Sequence, residues 1–280
     1  MYRMPGITRP SIIDRHSKRL FTLFCTLFFT LQLGFSDRAA AAPEWQAPAP
    51  HWRVARLEQD MERPNTLLVL FPGYTVKTAW SQRWAEALVA RESIANQVRE
   101  VWAFKGPDKV FYEDRELPIQ ASVETLGAGF ERIVVVAHSS GAFPAHQWLQ
   151  TIADDEELMK RLRGKVSYIN LDGGIGQGET GFNQKLIGLL DTTYAVSVRD
   201  TRTGTYSANH STMAKFASLY PEHVQHRVLE IDSGCAPAAQ WCLHDAAINI
   251  RPHKRETFDL EKDYTLFEAP HGVSRAWWPD

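Results

Sequence analysis

Apolar runs of strand length alternate with amphipathic stretches of helix length from about Asn65 onward. Such runs indicate strands that are buried on both faces, and strands of this kind occur in parallel sheets covered by helices. The predicted strands span residues 66–71, 98–104, 132–137, 166–171, 194–198 and 228–231. The chain is therefore expected to be an α/β protein, with a mostly parallel central sheet, helices on both faces and three layers.

The first 42 residues have the order of a secretory signal peptide. Residues 1–19 carry five basic side chains, residues 20–35 are almost entirely apolar, and residues 39–42 are alanines. An uncleaved membrane anchor is the alternative, but the apolar run is short for the roughly 20 residues of a spanning helix. We expect a signal peptide over residues 1–42 and export to the periplasm or the extracellular space.

The cysteines fit the same compartment. Cys25 lies in the apolar N-terminal run, which leaves Cys235 and Cys242 for the mature chain. In an oxidising compartment these two are expected to form a disulfide, whereas in the cytosol they would be two buried thiols.

Composition limits the partners and the number of domains. The 280 residues include 31 Lys and Arg against 33 Asp and Glu, which gives no basic field that would attract nucleic acid. Residues 43–64 are rich in Pro and Ala and then mixed in charge, so we expect a linker and an edge element there. Residues 65–280 are expected to form one domain, with no insertion long enough for a separate cap domain.

Residues 132–145, RIVVVAHSSGAFPA, carry the most chemical information. A buried strand ends at Ala137, a tight turn carries Ser139, and a helix begins near Gly141. Small residues on both sides let strand and helix approach closely while the serine hydroxyl projects from the sheet. The segment A-H-S-S-G resembles the G-x-S-x-G nucleophile elbow of the α/β-hydrolase family, with Ala137 in place of the first glycine. An ordinary strand–helix junction with a capping serine is the alternative.

The resemblance also implies an oxyanion hole of two backbone N–H groups. Ser140 follows the expected nucleophile and would supply one. The strand at 66–71 runs into Phe71-Pro72-Gly73-Tyr74, which is similar to the family's His-Gly-x turn with Pro72 in place of His. By that match Tyr74 would supply the second N–H; a simple Pro-Gly turn is the alternative.

In this family the histidine base comes last in the triad, after the final strand. His244 follows the strand at 228–231, and a disulfide between Cys235 and Cys242 would hold its loop. His271 is the competitor, but it would require an additional strand and helix.

Two aspartates compete for the third position of the triad, because each lies at a strand end. Asp172 ends the run at 166–171, in the setting of pancreatic-type lipases, and Asp200 closely follows the run at 194–198. Either would orient the imidazole and stabilise its charged form. Asp172 is slightly favoured, Asp200 stays open, and Asp232 is a distant third.

The resemblance implies an exported serine hydrolase that cleaves carboxylic esters, of esterase or lipase type, through an acyl-enzyme. It implies neither a metal nor an organic cofactor. The substrate would be a small-molecule or lipid ester in a fairly open site, with contact to a lipid surface as a further expectation.

Two other functions remain open on the sequence. Residues 176–181, GQGETG, match G-x-G-x-x-G and precede Asp200 by about 20 residues, the pattern of a dinucleotide-binding oxidoreductase. Against it, Gly176 lies several residues beyond the strand end, and an exported protein meets little nicotinamide cofactor. The second alternative is a non-catalytic binding protein that keeps the hydrolase fold.

Overall fold

The computed structural model describes residues 43–57, 65–90, 92–109, 116–127 and 129–248. The predicted signal peptide and His271 lie outside the described residues.

The strands form one sheet with the order β1-β2-β4-β3-β5-β6-β7-β8. β1 pairs antiparallel with β2 and β2 antiparallel with β4, whereas all pairings from β4 to β8 are parallel. The strands are β1 (Trp45–Ala49), β2 (Trp52–Arg56), β3 (Thr66–Phe71), β4 (Val98–Phe104), β5 (Arg132–His138), β6 (Val166–Leu171), β7 (Leu190–Asp200) and β8 (Val224–Ile231).

Helices cover both faces of the sheet and bury two cores. The described helices are α1 (Thr78–Val89), α2 (Glu92–Ala95), α3 (Ile119–Glu124), α4 (Ala142–Asp154), α5 (Glu156–Leu162), α6 (Gln184–Leu189), α7 (His210–Leu219) and α8 (Gln240–Ala246). Helices α3 to α7 pack on one face, where Trp148 and Phe216 are buried. Helices α1, α2 and α8 pack on the other, where Trp84 and Leu243 are buried. The fold class expected from the sequence, an α/β fold with a mostly parallel central sheet and helices on both faces, is confirmed.

The predicted strand bounds differ from the observed ones where polar residues interrupt the apolar pattern. The bounds of β3, β4 and β6 agree with the prediction, and β5 is one residue longer. β7 and β8 each begin four residues earlier than expected, in segments that contain Asp191, Thr192 and Gln225. The expectation that every strand is buried on both faces is wrong for β8, because it forms the outer edge of the sheet and leaves Val228 37% exposed.

The segment after the predicted signal peptide supplies the opposite edge of the sheet. β1 and β2 form a hairpin, and β2 pairs with β4 from Trp52 to Arg56. Trp52 is buried and stacks on Phe104, with ring centroids 5.9 Å apart. This packing anchors the expected edge element to the main core.

The winding of the chain defines where a ligand can bind. β3 lies between β4 and β5, so the chain proceeds from β3 through α1 to one side and from β5 through α4 to the other. In open α/β sheets, ligands bind outside the carboxyl ends of the strands at such a reversal. The segments that begin at Pro72 and Ser139 leave the sheet at that point.

Over the described ranges, no helix combines the length and the apolar character needed to cross a bilayer.

Candidate active site

A cleft of about 1830 Å³ opens at the carboxyl edge of the sheet. Its walls come from the segments that follow β3, β5, β6, β7 and β8. Ser139, His244, Tyr74 and Ser140 all lie in these walls. The cleft therefore brings together four of the residues singled out in the sequence.

Ser139 lies at a sharp turn between β5 and α4. Its φ is 55°, in the left-handed region, and a single 3₁₀ turn, Ser139–Gly141, leads into the helix. Gly141 is required here, because a Cβ at this position would lie 2.2 Å from the carbonyl oxygen of Phe71. Ala137 is fully buried, so the departure from the G-x-S-x-G pattern keeps the small size that the turn needs. A positive φ costs a non-glycine residue on the order of 1–3 kcal/mol, and strain of this kind clusters at functional sites.

The loop after β3 runs directly beside this serine. A Cβ on Gly73 would lie 3.0 Å from the Cβ of Ser139 and 3.5 Å from its Oγ. A glycine thus lets the backbone approach the hydroxyl closely. In the described part of the chain, the next backbone N–H, that of Tyr74, makes no hydrogen bond. The adjoining Thr75 N–H donates to the carbonyl of Pro107 over 2.9 Å, which fixes the loop.

His244 and Asp172 form a buried pair. The Nδ1 atom of His244 lies 2.6 Å from Oδ2 of Asp172, and the two side chains are 2% and 0% exposed. An ionised carboxylate only accepts hydrogen bonds, so Nδ1–H donates and Nε2 is left as the basic nitrogen. Of the candidate acids, the structure brings Asp172 to His244.

The carboxylate of Asp172 is held by Ser207 and Asn209, which lie in the loop that precedes α7. The Ser207 hydroxyl donates to Oδ1 over 2.6 Å, and the Asn209 N–H donates to Oδ2 over 3.2 Å. The Asn209 amide also donates to the backbone carbonyl of Asp172 over 2.7 Å. Nothing in the sequence pattern singles out Ser207 or Asn209, because they lie more than 30 residues from Asp172 in a loop without a motif.

The carboxylate of Asp200, the other candidate acid, accepts its hydrogen bonds from its own turn and from Ser233. It accepts hydrogen bonds from the N–H groups of Arg202, Thr203 and Ser233, and from the Ser233 hydroxyl. Burial alone would raise the pKa of Asp200, but these hydrogen bonds outweigh burial and lower it. Asp232 forms a surface ion pair with Arg202 at 2.6 Å. Neither carboxylate is among the residues of the cleft.

A disulfide joins Cys235 to Cys242, as the sequence predicts. Cys242 lies on α8, two residues before His244. The helix is also held from β5, because Nε2 of His138 lies 3.0 Å from the backbone carbonyl of His244 and donates to it. The rings of these two histidines lie side by side, with centroids 4.5 Å apart. The imidazole of His244 is thus fixed through both its backbone and its side chain.

The glycine segment 176–181 does not form a dinucleotide-binding turn. Gly176 and Gly178 have positive φ values of 73° and 56°, and the segment folds back on itself through the bond from the Phe182 N–H to the Ile175 carbonyl. The next helix, α6, has only six residues, and the side chain of Asn183 caps its first N–H groups. Asp200, which the dinucleotide pattern would assign to a ribose, is occupied as described above.

Trp80 of α1 packs against the core and also lines the cleft. Trp84 and Leu88 of the same helix are buried, but Trp80 is only partly buried and lines the cleft. Across the described ranges, no group of three or more His, Cys, Asp and Glu side chains is arranged to hold a metal ion.

Comparisons with known proteins find distant structural similarity. No family model and no curated protein matches the chain. The structure is similar to esterase B from Lactobacillus rhamnosis, with 10% identity, a TM-score of 0.45, and 94% of this chain and 97% of that one covered. It is also similar to a bacterial heroin esterase, with 15% identity, a TM-score of 0.44 and coverages of 94% and 93%. For esterase LipW from Mycobacterium marinum the identity is 13%, the TM-score 0.44 and the coverages 95% and 93%. The strand order and the turn at Ser139 are consistent with the α/β-hydrolase resemblance that the sequence suggests.

Proposed function

We propose that the chain is an exported serine hydrolase that cleaves carboxylic esters through a Ser139–His244–Asp172 triad. One observation carries the proposal. A serine at a positive-φ turn shares a cleft with a histidine whose Nδ1 is bound to a buried aspartate at 2.6 Å. This arrangement leaves Nε2 as the basic nitrogen of a histidine that lines the same cleft as the serine, which supports nucleophilic catalysis.

In the proposed mechanism, Ser139 Oγ attacks the ester carbonyl carbon while Nε2 of His244 takes the hydroxyl proton. Asp172 stabilises the resulting imidazolium and keeps its own negative charge. The backbone N–H groups of Tyr74 and Ser140 bind the oxyanion of the tetrahedral intermediate. The close approach of Gly73 to Ser139 supports this role for the loop.

The intermediate collapses when His244 returns the proton to the leaving alcohol, and the acyl group stays on Ser139. Water then attacks the acyl-enzyme, with the same imidazole as the base, and releases the carboxylic acid. The nucleophile, the base and the two N–H donors belong to residues that line the cleft, and Asp172 acts from behind His244.

Export is part of the proposal. It is supported by the order of basic, apolar and small residues over 1–42 and by the disulfide, since disulfides persist in oxidising compartments.

The test is hydrolysis of p-nitrophenyl esters of increasing acyl length by the chain that starts at residue 43. We expect Ser139→Ala and His244→Ala to lower kcat by about 10³-fold or more, as losses within a triad do. Ser218→Ala is the matched control, because Ser218 is an exposed serine on α7 outside the cleft. Equal rates in all four proteins would contradict the mechanism. A folded protein that hydrolyses no ester and resists fluorophosphonate probes would instead favour the non-catalytic binding protein.

A further inference from the structure

The charges of the cleft differ in sign from those of the whole chain. The chain has a formal net charge of −2. Among the described residues, the walls of the cleft nevertheless contain Lys77 and Lys215, besides Arg83 and the buried Asp245, which each have a partner of their own. Field lines are focused in a cleft with low-dielectric walls, so this imbalance favours a ligand that carries negative charge.

These basic residues belong to helix faces that line the cleft. On α7, Thr212, Lys215 and Leu219 are spaced by three and four residues, so they lie on one side of the helix. Lys77 immediately precedes α1 and also lines the cleft. Within the described ranges neither lysine forms an ion pair, and both side chains are exposed. Two ammonium groups are thus available to a ligand.

Large apolar side chains line the same cleft. Tyr74, Leu219 and Trp241 are 51%, 53% and 63% exposed, and all three lie in its walls. Trp241 also contacts the ring of His244 edge to face, with centroids 5.1 Å apart. Apolar side chains therefore line the cleft both beside the proposed catalytic histidine and on the helix that carries Lys215. The volume of about 1830 Å³ exceeds the roughly 300–1,000 Å³ of ordinary small-ligand sites, so a longer substrate fits.

From these observations we infer that the cleft binds an ester with an extended apolar part and an anionic oxygen group, and that Lys215 and Lys77 bind this group. The inference rests on the proposed function, because it assigns the substrate class of the same site. A carboxylate and a phosphate share the chemistry that an ammonium group recognises. The apolar part lies against Tyr74, Trp241 and Leu219.

The experiment compares three p-nitrophenyl esters of similar length: octanoate, which is neutral, the monoester of suberic acid, and the ester of 7-phosphonoheptanoic acid. The measured quantity is the ratio of kcat/KM for each anionic ester to kcat/KM for octanoate. We expect a ratio above one that falls about fivefold in Lys215→Gln or Lys77→Gln, and further in Lys215→Glu. Raising the salt concentration should lower the ratio in the same direction.

Lys160→Gln is the control, because Lys160 is an exposed lysine on α5 that does not line the cleft. It should leave the ratio unchanged. The two anionic esters separate the sources of charge: a higher ratio for the phosphonate indicates a phosphate-bearing substrate, and a higher ratio for the suberate indicates a carboxylate. A ratio of one or less, or one that responds equally to Lys160→Gln and Lys215→Gln, would overturn the inference while the hydrolase function stands. Failure to hydrolyse any ester, together with failure to react with a fluorophosphonate, would overturn the proposed function itself and this inference with it.

Discussion

Two aspartates at the ends of neighbouring strands show how donors decide the role of a carboxylate. Asp172 accepts from Ser207, Asn209 and His244, and one of these donors is an imidazole that faces the cleft. The hydrogen bonds to the carboxylate of Asp200 come instead from its own turn and from Ser233. The first carboxylate orients another functional group, whereas the second stabilises a turn.

This difference predicts opposite effects of two identical substitutions. Asp172→Asn should lower kcat by about 10³- to 10⁴-fold, because an amide cannot hold the required tautomer of His244 or stabilise its charge. Asp200→Asn should lower the unfolding temperature and change kcat by less than about tenfold, because the carboxylate of Asp200 holds its own turn and Ser233 and not His244. Esterase rates and thermal unfolding of both variants test this. A greater loss of kcat in Asp200→Asn than in Asp172→Asn would show that Asp172 is not the acid of the triad.

A second residue-scale prediction concerns His146, which lies wholly within the protein. Its Nδ1–H donates to the Thr180 carbonyl, and its Nε2 accepts from the Tyr168 hydroxyl, each over 2.9 Å. Burial lowers the pKa of His146 from 6.5 to about 4, against the smaller opposing effect of the Thr180 bond. The native state therefore keeps the ring neutral in a pH range where the unfolded chain is protonated.

The direction of the pH dependence of stability follows from proton uptake by the unfolded chain. Above pH 6.5 the ring is neutral in both states, and between pH 6.5 and about 4 only the unfolded state binds the proton. The free energy of unfolding should therefore fall by roughly 3 kcal/mol as the pH is lowered across this interval. Denaturant titrations at several pH values should show a flatter pH dependence in His146→Gln than in wild type. The control is His223→Gln, at an exposed histidine; if it flattens the dependence as much as His146→Gln, the attribution is wrong.

At the scale of the elements, α8 is a short helix whose position is fixed by covalent and polar links. The disulfide joins its third residue to the loop after β8, and His138 of β5 donates to the carbonyl of His244. A seven-residue helix has little stability of its own, so these links and its packing hold the imidazole in place.

Removal of the disulfide should therefore affect both stability and activity. The double substitution Cys235→Ser with Cys242→Ser closes no loop in the unfolded chain, and we expect a loss of about 2–3 kcal/mol in the free energy of unfolding. We also expect a lower kcat at temperatures where the protein is still folded, because His244 is less well positioned. Thermal unfolding and ester hydrolysis measure the two effects. An unchanged kcat in the folded variant would show that packing alone positions α8.

The elements differ in how far local sequence determines them. Buried parallel strands such as β3 and β6 were predictable because their apolar runs are uninterrupted, and the turn at Ser139 because only small residues fit beside it. The edge strands β1 and β2 were harder to predict from the sequence. β1 and β2 are short, and only three of their ten residues are buried, so no continuous apolar run marks them. The choice between Asp172 and Asp200 required the distant loop at Ser207 and Asn209, which only the tertiary fold brings to the strand end.

At the scale of the whole molecule, the predicted signal peptide and the disulfide make a joint prediction. A bacterial host that produces the full chain should export it and remove the N-terminal segment at or near Ala42. A charge in the apolar run, as in Phe28→Arg, should block export and leave the two cysteines reduced. Intact mass of the exported and retained fractions, with and without thiol alkylation, provides the measurement. An uncleaved chain retained in the membrane fraction of the wild type would support the membrane-anchor alternative.

The most direct test of the account is to find which residue a fluorophosphonate labels. We expect one phosphonylated residue per folded chain, located at Ser139 by peptide mass spectrometry. Labelling should be lost in Ser139→Ala and strongly slowed in His244→Ala and Asp172→Asn. Labelling at a different serine, or folded wild-type protein that stays unlabelled while a control serine esterase reacts, would contradict the assignment of Ser139 as the nucleophile.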